Sequence, residues 1–204
     1  MKTIGIVLSA IAGLVLAIVI FFYFAVSQFP KLMAEYGPEI SVCAQQETQK
    51  AEAKLSAASD DYSRWVALGN ALYWQSTQAN VDGVSAKATA LLVIAERYQD
   101  DWNYGNALHK ANSALGRIAL HSGDKVAARK YLLDSARSKG SPQMNSFGPN
   151  MGFAKEMLEA GETDVVLEYF ALCRQFWTDH GQLDVWTRMI RDGKPPRFGA
   201  SLLY

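Results

Sequence analysis

"LGRIALHSGDKVAARKYL" (residues 115–132) and "FAKEMLEAGETDVVLEYF" (residues 153–170) decide the fold. Leu115, Gly123-Asp124, Ala128 and Leu132 in the first are matched 38 residues later by Phe153, Gly161-Glu162, Val166 and Phe170. In each stretch an apolar helical period is cut by a glycine, and the acid that follows opens a second period. Two helices joined by such a turn, repeated at a period of this size, are the signature of a helical-hairpin array. A single hairpin leaves one apolar side in water, so neighbouring hairpins stack to share a core.

The same grammar extends in both directions. Asp60 or Asp61 can cap a helix with Tyr62, Trp65, Leu68, Leu72 and Tyr73 on its apolar side. Asp82-Gly83 marks a turn, and residues 84–98 supply the returning helix. Residues 104–121 read as a helix with Leu108, Ala111, Leu115 and Ile118 on one side, and residues 126–137 return from it. Residues 151–159 and 164–177 form the third pair, in which Val165, Val166, Tyr169, Phe170, Cys173, Phe176 and Trp177 make the cleanest stripe. No alternating run is long enough for a strand, so the fold class is all-α. The expected order is an anchor over residues 1–30, a helical stalk or linker rich in Ala, Gln, Glu and Lys over 31–59, and a helical-repeat domain over 60–204.

Trp65, Leu68, Gly69 and Leu72 resemble the first-helix pattern of tetratricopeptide repeats, with leucine in place of tyrosine, and Leu115-Gly116, Gly123-Asp124, Ala128 and Leu132 look like a second unit. The helix pairs are unevenly spaced, and the loop at 139–150 is long for a regular array. Beyond Asp101 the chain resembles an uncharacterised bacterial family with tetratricopeptide-like helices. The residues responsible are "DWNYGNALHKANSALGRIAL" (101–120), "GSPQMNSFGPNMGFAKEML" (140–158), "LEYFALCRQFW" (167–177) and "FGASLLY" (198–204). Within them an SPQ-x-NSFGPNM motif is the most specific element. Members of that family usually have leucine where Met144 stands and asparagine where Ser201 stands. The resemblance implies a stack of helical hairpins and implies no activity.

The amino-terminal part obeys different rules. Between Lys2 and Lys31 there is no charged residue, and residues 4–26 are apolar apart from Gly5, Ser9, Gly13 and Tyr23. About 20 such residues span a hydrocarbon core as a helix, whereas a cleavable signal has an apolar region of about 7–15. A retained single-pass anchor is the expectation. Gly5, Ser9, Gly13 and Ala17 recur every fourth residue, the small-xxx-small spacing through which membrane helices pack, which makes a homo-oligomer through this helix an option. Lys2 on one side weighs slightly for an inward amino terminus, hence for a bacterial inner-membrane protein with a periplasmic domain. The formal net charge is zero with 20 bases and 20 acids, so no basic surplus points to nucleic acid. Two cysteines, Cys43 and Cys173, are too few for a disulfide scaffold; outside the cytoplasm they could meet as one disulfide, and the simpler reading is two separate thiols.

Two groups of residues are candidates for binding. The loop at 139–150 contains Gln143, Asn145, Ser146, Phe147 and Asn150 among Gly and Pro; its amides and hydroxyls either satisfy the loop's own backbone or present a binding surface. Tyr104, Asn106, His109 and Asn112 form the second group, a polar stripe beside the apolar one that either faces the Asn145 loop across a groove or is solvated. The five tryptophans, Trp65, Trp74, Trp102, Trp177 and Trp186, read as core or groove wall. No nucleophile motif, H-E-x-x-H or phosphate-cradling glycine loop is present, so no catalytic residue, metal or cofactor is expected. The tail "GKPPRFGASLLY" (193–204) is expected to pack back onto the domain. The function these features favour is a membrane-anchored interaction or assembly subunit of a membrane complex. The alternative is a small-ligand or enzymatic site between the Asn145 loop and His109.

Overall fold

The computed structural model describes residues 45–76 and 83–202, with the side chains of residues 74–76 left aside. The anchor segment with Gly5, Ser9, Gly13 and Ala17, most of the stalk, and Cys43 lie outside the described residues. Among the described residues no helix is long and apolar enough to cross a membrane.

Every regular element among the described residues is helical. Residues 45–57 form α1. They are followed by α2 (Asp61–Ser76), α3 (Val84–Ala95), α4 (Tyr104–His121), α5 (Lys125–Asp134), α6 (Pro142–Phe147), α7 (Gly152–Glu159), α8 (Thr163–Cys173) and α9 (Gln182–Arg191), and a short 3₁₀ turn covers Gly199–Leu202. The compact unit starts at Thr48. Within it, Ala51 is buried and Glu52 pairs with Lys87 of α3 at 3.1 Å.

Capping chemistry sets the helix starts. Asp60 accepts from the Ser63 backbone N–H at 2.8 Å, while the Ser63 hydroxyl lies 2.8 Å from the second Asp60 carboxylate oxygen. Asp124 caps α5 by accepting from the Ala127 N–H at 2.9 Å. The ends are earlier than the period alone implies. α3 closes at Ala95 because the next amides bond three residues back, Arg97 to Ile94 and Tyr98 to Ala95. That tightened turn lets the Tyr98 ring stack on Trp65 with centroids 5.0 Å apart.

Consecutive helices fold back on each other in the pairs α2–α3, α4–α5 and α7–α8. The first helices also meet in succession, α2 with α4 and α4 with α7, and α5 meets α8. Two apolar cores result. One gathers Trp65, Leu68, Leu72, Leu91 and the alanines of the first half of α4. The other gathers Leu132, Phe153, Met157, Tyr169, Phe170 and Trp186. Tyr131 packs against both. The stripe Val165, Val166, Tyr169, Phe170 and Cys173 is buried on α8 as expected, but the helix closes at Cys173 rather than at 177, so the half-buried Phe176 and the buried Trp177 lie in and after the turn beyond it. The tail packs back: Phe198 sits 4.8 Å from Trp186, whose indole N–H donates to the Arg197 carbonyl at 3.1 Å.

Three expectations are corrected. The segment 139–150 is not simply a loop, since Ser141 caps the six-residue α6 with Pro142 at its first position. Trp102 is neither core nor groove wall but 62% exposed, because it precedes α4 in a surface turn. The polar stripe of α4 is not solvated. His109 and Asn112 are buried, while Leu108 and Ile118 on the expected apolar side are only partly so. The cause is that α4 is packed by α2, α3, α5 and α7 on several sides at once.

Candidate ligand cavity

The polar side of α4 opens onto a cavity of about 650 Å³ bounded by α2, α4, α6, α7 and Leu202 of the tail. Volumes of this order suit a small ligand. On α4 the polar part of the wall, beside Ala114, consists of Asn106, His109, Lys110, Ser113 and Arg117. Their offsets of 3, 4, 7 and 11 residues keep them on one helical face.

His109 is 8% exposed, and its Nδ1 makes no hydrogen bond of ordinary geometry. Burial pushes its pKa down to about 4; the charges of Arg117 and Lys110 act in the same sense, and backbone groups of Ser135 and Asn150 oppose them. The ring is neutral at pH 7. Ser113 is 9% exposed, and its hydroxyl has no partner, so it forms no nucleophile–base pair with His109. Burial also lowers the pKa of Lys110, whose ammonium lies over the Tyr73 ring at 5.9 Å. No carboxylate stands within ion-pair distance of Lys110 among the described residues. Opposite, Arg117 Nε donates to Glu156 Oε1 at 2.8 Å, while the buried Oε2 has no hydrogen-bond partner and lies 3.8 Å from His121. Among the described residues no group of three His, Cys, Asp or Glu side chains is placed to hold a metal ion.

The sequence-derived candidates divide. Asn106, His109, Gln143 and Asn150 reach the cavity. Tyr104, Asn145, Ser146 and Phe147 are not in its wall. Tyr104 packs beside the α2–α3 core, where burial and, secondarily, Glu96 raise its pKa. Ser146 and Phe147 are exposed on the outer side of α6. Asn145 is part of the loop's internal scaffold, its backbone carbonyl accepting from the Thr178 N–H at 3.0 Å.

The loop is seated by close contacts. At Gly140 (φ 73°) an added Cβ would lie 2.0 Å from Asn145 Oδ1, and at Gly148 (φ 83°) it would lie 2.5 Å from the Trp177 indole. The Ser141 hydroxyl caps Met144 N–H at 3.1 Å and lies 2.9 Å from Asn106 Oδ1, joining the loop to α4. Asn150 accepts from Gly152 N–H at 2.8 Å and donates to the Leu202 carbonyl at 3.3 Å, joining it to the tail.

Sequence reasoning missed Lys110, Ser113, Arg117 and Glu156. Asn106 and His109 predict the next members of their face at positions 110, 113 and 117, whereas Asn112 lies off it. Asn112 instead donates back to the Leu108 carbonyl at 2.9 Å. Cys173 is a free, buried thiol pushed up to about 12 by burial, which makes it unreactive. No protein-family model, curated protein or solved structure matches the chain.

Proposed function

We propose that the chain is a membrane-anchored, tetratricopeptide-like protein that binds a protein partner and serves as an assembly subunit of a complex at the bacterial inner membrane, with its repeat domain in the periplasm. The observation that supports this reading best is the succession α2, α4, α7, in which the first helix of each pair contributes to one grooved face. Stacked hairpins use such a face to hold a partner. The uncharged run at residues 4–26 supports the anchor, and Gly5, Ser9, Gly13 and Ala17 support a helix contact within the bilayer.

Affinity capture of the full chain from detergent-solubilised membranes tests the reading. A stoichiometric partner should be recovered, and it should be lost when Asn70→Arg and Gln143→Arg place bulky charges on the groove walls. Recovery of the chain alone, or release of the chain from membranes by alkaline carbonate, overturns it. A second reading, a small-ligand site, is favoured by one specific observation: His109, Ser113 and Glu156 each leave a buried polar atom without a partner, and all three line one cavity.

A further inference from the structure

We infer that the cavity is a receptor site for a small organic acid that also carries a hydrogen-bond donor, an amino acid or a hydroxy acid, with Lys110 as its counter-ion. The inference rests on the small-ligand reading above and adds the chemical class. Three groups in the wall define that class. Lys110 is a partly buried cation that lies over the face of the Tyr73 ring, which satisfies it only in part. A desolvated ammonium is costly without an anion beside it. Glu156 holds one oxygen on Arg117 and leaves the other buried without a donor. The Ser113 hydroxyl, unpartnered and buried, comes from the turn between Lys110 and Arg117 on the same face of α4.

The ionised groups in the wall explain why one acid is the fitting guest. Arg117 and Glu156 neutralise each other, His109 is neutral, and Lys110 leaves one positive charge. A monoanionic carboxylate or a zwitterion brings its carboxylate to Lys110, and its amine or hydroxyl supplies the donor that Glu156 Oε2 lacks. A dianion would bring one more negative charge than the wall balances. A purely apolar guest would leave all the unpartnered atoms as they are. The 650 Å³ volume, with Met144 and Leu202 among its lining residues, suits a small molecule.

Isothermal calorimetry on the full chain in detergent, with the L-amino acids, lactate and glycerate as probes and the amide of each as control, tests this. At least one acid should bind saturably and its amide should bind roughly 10- to 100-fold more weakly, the range expected for losing a charge-assisted hydrogen bond. Lys110→Met should weaken the acid by a similar factor while leaving the circular dichroism unchanged and the ligand-free melting temperature equal or higher, because a partly desolvated charge without a carboxylate beside it is gone. Ser113→Ala, which removes a single oxygen, should weaken binding several-fold while leaving the ligand-free melting temperature equal or higher. If amides bind as well as acids, or Lys110→Met binds the acid normally, the acid class is overturned and the ligand site survives. If no probe binds, both are overturned.

Discussion

Acidification from pH 7 to pH 5 should remove about 2 kcal/mol of folding stability through one imidazole. His109 has a pKa of about 4 in the folded chain because α4 buries it. In the unfolded chain it returns to about 6.5. Between those values the unfolded state takes up a proton that the native state refuses, so stability must rise with pH there. The contribution is complete above pH 6.5, falls as pH drops towards 4, and changes no further below. Over the whole interval it amounts to about 3 kcal/mol, at about 1.4 kcal/mol per pH unit. Asp60, lowered by its hydrogen bonds to Ser63, and Glu162, lowered by Arg129 and Lys125, also make acid destabilising, but they do so at and below the ordinary carboxylate range. The window from pH 7 to pH 5 therefore belongs largely to His109. Urea denaturation of the full chain in detergent, followed by tryptophan fluorescence, reads the loss as a falling midpoint. His109→Gln should flatten the dependence in that window whatever it does to absolute stability. Equal slopes for the two proteins, or an NMR titration of the His109 ring centred near pH 6.5, would refute the reasoning.

Other perturbations test the packing that holds the cavity. Gly116→Ala would place a Cβ 2.2 Å from the Phe153 ring and 3.1 Å from Tyr131 Cβ, and should cost about 1–3 kcal/mol in the same denaturation assay. An unchanged midpoint would mean that Phe153 is free to move aside. Ser141→Ala removes the cap of α6 and its contact with Asn106, for a loss of about 1 kcal/mol and faster hydrogen exchange at the Met144 amide. Phe198→Ala empties a site among Phe170 and Trp186 and should cost about 3–5 kcal/mol; a normal melting curve would show that the tail adds nothing to the core.

Much of the helical organisation was legible because it depends on local chemistry. The turn at Gly123-Asp124 is readable from a glycine followed by a capping acid, and α4 begins and ends at Tyr104 and His121 as its period implies. Less legible was whatever depends on a distant segment arriving. α6 hides in a stretch whose Gly, Pro and Asn content reads as loop, although Ser141-Pro142 is itself a helix-start signal. Gln143 and Asn150 were recognisable as part of a distinctive segment, yet composition could not separate them from Asn145, which turns inward towards Gly140. Lys110 and Arg117 share the helical face of Asn106 and His109, but the expected stripe of Tyr104, Asn106, His109 and Asn112 does not include them. They line a half-open cavity because α2, α7 and Leu202 come together around them.

The position of α4 also bears on why its polar face persists. Ala107, Ala111, Ala114 and Leu115 belong to one core, while Ala119 belongs to the other and Gly116 meets Phe153. Apolar anchoring on both flanks prevents the helix from rolling to expose Asn106, His109, Ser113 and Arg117 to bulk water. The unpartnered atoms on that face destabilise the chain, and apolar residues of similar volume would remove the penalty. A scaffold that needed only a rigid middle helix would be better served by leucine at 109 and alanine at 113. The face is therefore better explained by recognition than by stability. Substituting His109→Leu and Ser113→Ala together should stabilise the ligand-free chain while weakening acid binding at least several-fold, and a destabilised double variant would show that these groups serve the fold instead.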